Sequence, residues 1–493
     1  MRRVRVGLLV LVLAAAALGA VIIVNAMRYG SRQLPSVPAP AFVPLAGAVE
    51  RLAAAVAIPT VSYADVTRRD TAAFARWREH LARSFPRAHA TLRTERFERD
   101  AMLYTWPGLD TAAAPLVLLA HVDVVPVEPG TESQWTRPPF GGVADSLFVW
   151  GRGTQDDKAG ALGILEAVEG LLASGFRPRR SIYVALGADE ETGGLGARAI
   201  ADSLRARRVR PAVVLDEGGA VVRGVMPGLS RPLAAVGVAE KGYATLRLEA
   251  RGPGGHSSMP PRHTAVGRLA RAIAILEGNP FPARLREPFA TMLDRVGREM
   301  SFGMRVVFAN RWLTEPLIRR QLTSNPTTDA ALRTTTAVTM LEGSPKDNVL
   351  PQRARAAVNF RLMPGDSLRG VVDRTRNLIG DRDVVVTLDS ASATEPSPVS
   401  PSSGATWEML ARTIRSVYPD AVVAPYLSLG GTDARWYSGL SENVYRFLPQ
   451  RWEADDVQRM HGTNERIRVG AYGEQIRFYA TLIRAFAGAA EGP

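Results

Sequence analysis

Residues Val6 to Val24 are 19 consecutive uncharged, mostly apolar positions behind Arg2, Arg3 and Arg5. As a helix rising about 1.5 Å per residue, such a run spans roughly 28 Å, close to the hydrocarbon thickness of a bilayer. A cleavable export signal has a shorter apolar core of about 7–15 residues before a small-residue site. Ala17 to Ala20 offers such a site, but Val21 to Val24 carry the apolar run past it. The pattern predicts an uncleaved membrane anchor over residues 1–27, with secretion after signal cleavage as the alternative. The basic flank places the rest of the chain on the non-cytoplasmic side, periplasmic or extracytoplasmic. Residues 28–45, with four prolines between Ser31 and Pro44, read as an extended linker.

Beyond the linker, short apolar runs alternate with amphipathic stretches. Val117 to Leu119, Ile182 to Leu186 and Val213 to Leu215 are bounded by turn residues, as buried parallel strands would be. Ala159 to Ala173 and Leu195 to Ala206 between them have helical spacing. This βαβ rhythm predicts an α/β fold with a doubly wound, mostly parallel sheet, whose reactive groups gather at the carboxyl ends of the strands. From Lys241 to Pro364 the pattern changes. Thr245 to Ala250, Thr334 to Leu341 and Ala354 to Leu362 alternate as strands, and His263 to Leu276 reads as a helix. About two helices' worth of extra sequence, Phe289 to Gln321, interrupts them. The prediction is a catalytic domain of residues 46–240 and 365–493, split by a smaller α+β domain of residues 241–364. Signals after Leu368, including Trp407 to Val417, Asn443 to Leu448 and Val469 to Phe486, should complete the larger domain.

Composition narrows the chemistry. The 493 residues are 46% hydrophobic and 22% charged, which excludes a disordered or collagen-like chain. There is no cysteine, so thiol nucleophiles, disulfides and thiolate metal sites are excluded, and a metal must use His and carboxylate ligands. The formal charge of +13 comes from 61 Lys and Arg against 48 Asp and Glu. Lys158, Lys241 and Lys346 are the only lysines. The arginines are scattered and read as solvated faces, so no nucleic-acid partner is expected.

Five polar clusters fall where the strands should end. AHVDVVP places His121 and Asp123 two apart on one face, where the acid can fix the imidazole tautomer. GRGTQDDKAG puts Asp156 and Asp157 at a helix start, which alone reads as an acidic cap. GADEETGG delivers Asp189, Glu190 and Glu191 into a turn, LDEGG ends a strand in Asp216 and Glu217, and HGTNER supplies His461. Singly, each is more economically structural. Together they set acids after successive strands on one sheet edge, and oxygen and imidazole ligands without sulfur suit zinc, manganese or cobalt. His121, Asp156, Glu191, Asp216 and His461 suffice for two ions about 3.5–4 Å apart if one carboxylate bridges.

The order H-x-D, GRGTQDDK, DEETGG, LDEGG, GGHSS, NVLPQ…NFR, GGTDAR, RFLP and HGTNER resembles the di-zinc aminoacylase/carboxypeptidase clan, and within it the carboxypeptidase S branch that includes secreted N-acyl-amino-acid hydrolases. The resemblance runs from about Ile58 to Phe486. It implies two divalent ions, most simply Zn2+, with Asp156 bridging, His121 and Asp216 on one ion, and Glu191 and His461 on the other. It further implies that Asp123 orients His121, that Glu190 is general base and then acid, and that His256 of the inserted domain closes over the substrate. Asn348 and Arg361 resemble binders of the scissile carbonyl and the substrate carboxylate, and Gly431 and Thr432 line the same pocket. The inserted domain is then a ferredoxin-like lid that can also pair two copies of the chain. The implied reaction is hydrolysis of the amide bond to a C-terminal amino acid, in a peptide or an N-acyl amino acid. A membrane-anchored, metal-stabilised binding protein and a di-zinc aminopeptidase are the competing readings. The second needs a group for a free substrate amine, and no acidic cluster beyond the metal set offers one.

Overall fold

The computed structural model describes residues 2–488. Its larger domain is built on a mixed ten-stranded sheet. The parallel run predicted from the pattern forms its middle, with Ile182–Gly187, Leu116–His121, Val213–Asp216 and Val444–Arg446 adjacent and parallel. Antiparallel strands Arg93–Arg96 and Met102–Trp106 extend one end. Leu233–Glu240 continues the other end and pairs in parallel with Val422–Ser428. One face is covered by helices Lys158–Ala173, Val469–Ala487 and Ala405–Val417 around a single large core. Lys158–Ala173 is buried all round, as an apolar helix without a polar stripe must be. Its Gly163 faces Gln475 of the last helix so closely that a methyl group there would sit 3.3 Å from Gln475 Cγ. Helix Leu195–Ala206 covers the opposite face together with Tyr437 and Leu440.

The smaller domain has an antiparallel four-stranded sheet, in the order Thr335–Glu342, Arg353–Leu362, Gly242–Arg251, Val384–Leu388. Helices Ala265–Gly278 and Leu368–Ile379 pack on it. The predicted boundary at residue 364 is therefore too early: Leu368–Ile379 and Val384–Leu388 belong to the smaller sheet. Gly242–Arg251 would otherwise be an open edge strand, and Val384–Leu388 covers it.

The inserted stretch also differs from expectation. It forms three helices, Phe289–Gly297, Phe302–Ala309 and Arg311–Thr323, and a short fourth, Pro326–Ala330, follows it. They pack on the larger domain instead of extending the smaller one. Phe289, Met292, Leu293 and Val296 bury against Leu233, Ala235, Val422 and Ala424, an apolar sheet face that the other helices leave uncovered.

Two buried side chains tie the sheet together below the site. Arg446 Nε donates to Glu240 Oε1 at 2.7 Å, and Arg446 Nη1 donates to the Val444 carbonyl at 2.8 Å. Both residues are almost wholly excluded from solvent. Replacing Arg446 by Met should destabilise the chain by about 3–5 kcal/mol, because Glu240 is left as an uncompensated buried charge. A urea unfolding midpoint measures this, and adding Glu240→Leu should recover much of the loss.

Candidate metal centre

The carboxyl ends of three adjacent strands and the loop before Lys158–Ala173 converge as the pattern predicts. His121 is the last residue of its strand and is buried. Its Nδ1 lies 3.0 Å from the Asp123 carbonyl oxygen and donates to it, so the Nε2 lone pair is free for a ligand. Asp156 divides its carboxylate between two imidazoles: Oδ1 is 2.6 Å from His121 Nε2, and Oδ2 is 2.9 Å from His461 Nε2. Glu191 Oε1 is 3.2 Å from His461 Nε2. Donor atoms of His121, Asp156 and Glu191 all lie within 4.8 Å of one another.

His121 is met by the backbone carbonyl of Asp123 and not, as the sequence suggested, by its carboxylate, which lies 3.5 Å from Nδ1 and is engaged elsewhere. Asp123 Oδ1 accepts the Glu190 N–H at 3.1 Å and its Oδ2 accepts the Glu191 N–H at 3.2 Å. One carboxylate thus sets the turn that carries both glutamates. A second strut escaped sequence reasoning. Glu465, in HGTNER, is fully buried and accepts the N–H groups of Gly153 and Gln155, each at 2.8 Å. Its other oxygen accepts from Arg152 Nη1 at 2.7 Å, and Arg152 Nη2 donates to the His461 carbonyl at 3.1 Å. That bond helps hold His461 at a left-handed φ of 60°, a conformation uncommon for a residue with a side chain. Glu465 and Arg152 lie in the quoted motifs, but nothing in their local pattern says that they meet.

Asp216 is placed differently from expectation. Its Oδ1 accepts the Glu217 N–H at 2.9 Å and its Oδ2 accepts the Ala434 N–H at 2.6 Å, so it faces the GGTDAR segment and stands outside the clustered donor set. The next acid, Glu217, feels Asp156 more strongly than any other charge, then Asp216 and His121. The reason is strand parity. Val213 and Leu215 face the core shared with Lys158–Ala173, and Glu217 continues that parity, while Asp216 follows Val214 to the other face. The acid on the side of helix Lys158–Ala173 and the Asp156 loop before it is Glu217.

The electrostatics are those of a site built for cations. Burial pushes Glu190 and Glu217 well above the usual carboxylate range, and Glu191 upward. Asp216 is pushed up to about 6 by burial, only partly offset by the Glu217 N–H. His461 is pushed up to about 10 by its bonds to Asp156 and Glu191. Burial opposes the charged form of His121, but the adjacent Asp156 overrides it and raises the imidazole. Both oxygens of Asp157 are buried without a hydrogen-bond partner, and Glu191 Oε1 has only the His461 imidazole, 3.2 Å away. Orphaned acceptors beside two imidazoles fit a divalent metal, which would meet the unused lone pairs and offset the crowded negative charge. His121, Asp156, Glu191, His461 and Glu217 are the residues that could hold it.

The remaining candidates separate into two groups. Arg361 and Gly431 line one cavity of about 100 Å³ with Lys241, Tyr243 and Arg435. Thr432 is committed elsewhere: its N–H and Oγ1 both donate to Glu240 Oε1, so it supports the wall and does not line it. Lys241, pushed down to about 8 by burial and the nearby Arg361, and Arg435 were not singled out from the sequence. His256 and Asn348 sit together in the smaller domain, where the Ser257 N–H donates to the Asn348 carbonyl at 3.2 Å. His256 is exposed, with Nδ1 2.7 Å from Ser258 Oγ, and makes no hydrogen bond to the acid cluster among the described residues.

Two outcomes follow from this geometry. Glu465→Gln should weaken metal binding by about 10–100-fold, read by metal content after dialysis against graded metal buffers, because it loosens the loop that presents Asp156. The metal-free chain should lose stability as pH rises. Asp216, raised in the folded state, contributes stability that is lost between its ordinary carboxylate range and about 6, and His461 contributes stability lost from its ordinary value up to about 10. Added divalent metal at neutral pH should restore the unfolding midpoint and release protons, measured by calorimetry in buffers of different ionisation enthalpy.

Comparison with known proteins places the chain in a family. Residues 117–485 match the model of Peptidase family M20/M25/M40. The chain is 42% identical over 440 residues to the "Probable carboxypeptidase S-like 2" of Dictyostelium discoideum, covering 88% of this chain and 84% of that one. It is 38% identical over 441 residues to the human "N-fatty-acyl-amino acid synthase/hydrolase PM20D1", covering 88% and 87%. In fold it is similar to an M20 family metallo-carboxypeptidase of Sulfolobus solfataricus, with a TM-score of 0.64 at 17% identity over 90% of this chain and 100% of that one. Human carnosine dipeptidase 1 superposes with a TM-score of 0.59 at 16% identity, over 89% and 96%. With most of its length inside the family model and its acid and imidazole motifs at one sheet edge, the chain belongs to peptidase family M20/M25/M40 and is a metal-dependent hydrolase.

Proposed function

We propose that this metallohydrolase acts with two divalent ions, most simply Zn2+, on the amide bond between an acyl or peptidyl group and a C-terminal amino acid. The observation that carries the reading is the division of Asp156 between two imidazoles, one oxygen to each. In this reading Asp156, His121, Glu217, Glu191 and His461 would hold the ions. Bound divalent ions lower the pKa of water towards about 7 and polarise a carbonyl. The chain supplies the rest.

Glu190 is fixed by Asp123 through its backbone, and burial keeps its carboxyl ready to hold a proton. It takes a proton from the attacking water and returns it to the departing amine. The cavity lined by Lys241, Arg361 and Arg435 carries three cations. Its two acids are already engaged, Glu240 by Arg446 and Glu395 by the Leu368 N–H. That balance favours a substrate carboxylate over a substrate amine, and so favours a carboxypeptidase or N-acyl-amino-acid hydrolase over an aminopeptidase. His256 and Asn348 are proposed to reach the scissile carbonyl from the smaller domain, by closure or from a second copy of the chain. The names of the relatives, carboxypeptidase S-like and N-fatty-acyl-amino acid synthase/hydrolase, support substrates of both kinds.

The N-terminal helix is proposed as a retained anchor. Its last turns are part of the folded structure: Ala26 and Tyr29 are buried, and Tyr29 Oη donates to the Asp294 carbonyl at 2.8 Å.

The test is hydrolysis of N-acyl amino acids and blocked dipeptides by purified full-length protein, with added zinc and with chelator. Activity that chelator leaves intact overturns the reading. Glu190→Gln should lower kcat by about 10²–10⁴ with metal content unchanged. Arg361→Ala should raise KM for substrates with a free carboxylate by about 10–100-fold, and leave their carboxamides nearly unaffected.

A further inference from the structure

The inserted helices present an apolar face that none of the described residues covers. On helix Arg311–Thr323, Ile318 points into the core, while Trp312, Leu313, Pro316 and Leu317 share the outward side and are exposed. Trp312 is 63% and Leu317 64% exposed. Phe302, at the start of the preceding helix, is exposed as well. Single exposed apolar residues need no explanation, but a contiguous set on one helix marks an interaction surface.

The structure also sets the level of this face. Asn310, which joins the two helices, donates from Nδ2 to the Ile22 carbonyl at 3.1 Å and accepts at Oδ1 from Asn25 Nδ2 at 2.9 Å. Ile22 lies inside the apolar run that ends at Val24, so Asn310 is clamped to the last apolar turn of the N-terminal helix. Trp312 and Leu313 follow within three residues. A tryptophan and leucines at that level, with arginines beside them, are the composition of a helix lying in the headgroup layer. Arg28, Arg319 and Arg320 form no ion pair among the described residues, which leaves them free for anionic headgroups.

We propose that helices Phe302–Ala309 and Arg311–Thr323 form a seat on an anionic bilayer. Trp312, Leu313 and Leu317 enter the headgroup layer beside the point where the N-terminal helix leaves the hydrocarbon. The larger domain is thereby held in one orientation, because the insertion packs on Leu233–Glu240 and Val422–Ser428 of its sheet. This rests on the reading of the N-terminal helix as a retained anchor, and the experiment separates the two.

The chain has no cysteine, so each introduced cysteine is a unique labelling site. Leu317→Cys and Leu313→Cys report the seat and Val12→Cys reports the anchor. Leu109→Cys, exposed just after the strand Met102–Trp106 at the opposite end of the sheet, reports bulk solvent. Each variant of the full-length protein is labelled with an environment-sensitive fluorophore and placed in nanodiscs of phosphatidylcholine and phosphatidylglycerol carrying spin-labelled lipids. Labels at 313 and 317 should be quenched roughly twofold by lipid labelled near the headgroup, the label at 12 by lipid labelled deep in the chain, and the label at 109 by neither. Quenching at 12 with none at 313 or 317 overturns the seat and leaves the anchor standing. No quenching at 12 overturns the anchor reading and the seat with it. A blue-shifted but unquenched label at 317 means that a second copy of the chain covers this face, which also overturns the proposal.

Discussion

The structure depends on the crowding of like charge at one sheet edge. Asp156, Asp157, Glu190, Glu191 and Glu217 are crowded together beside two imidazoles, and the cost of burying a carboxylate rises steeply when its neighbours are also anionic. Protons can relieve that crowding, and so can divalent cations. Several adjacent acids raised together mean that the metal-free folded chain binds protons at this place more tightly than the unfolded chain does. Asp156 is the exception that organises the rest. Burial opposes its charged form, but His121 and His461 hold its carboxyl well below the usual range, so it stays ionised at the centre.

Such a centre must be held from outside, since its own members repel. Asp123 fixes the turn bearing Glu190 and Glu191 through two backbone N–H groups, and Glu465 fixes the loop bearing Asp156 in the same way. In both, a buried carboxylate accepts backbone donors, which spends its charge locally and leaves the reactive acids free. Arg152 joins Glu465 to the His461 carbonyl, so the two imidazole-bearing segments are positioned by one network.

The second constraint is mechanical. The anion-binding cavity is shared between domains: Arg361 and Tyr243 come from the smaller sheet, while Gly431 and Arg435 follow a strand of the larger one. Lys241, at the start of the smaller domain, donates to the carbonyls of Ala330 and Arg333 at the end of the insertion. The insertion therefore touches the wall of this cavity on one side and the N-terminal helix on the other.

Much of this was legible in the linear chain. Apolar runs bounded by glycine and acid gave parallel strands and the edge where the acids gather, because period and turn chemistry are local properties. His121, Asp156, Glu191 and His461 were readable for the same reason. The face to which Asp216 and Glu217 each turn was not, because Val213 to Leu215 are apolar on both sides and a strand buried on two faces hides its parity. The meeting of Glu465 with residues three hundred positions earlier, the capture of Val384–Leu388 by the smaller sheet and the docking of the insertion on the larger domain were likewise invisible. Each is decided by which uncovered face or unpaired donor lies nearby in space, and that proximity exists only once the chain has folded.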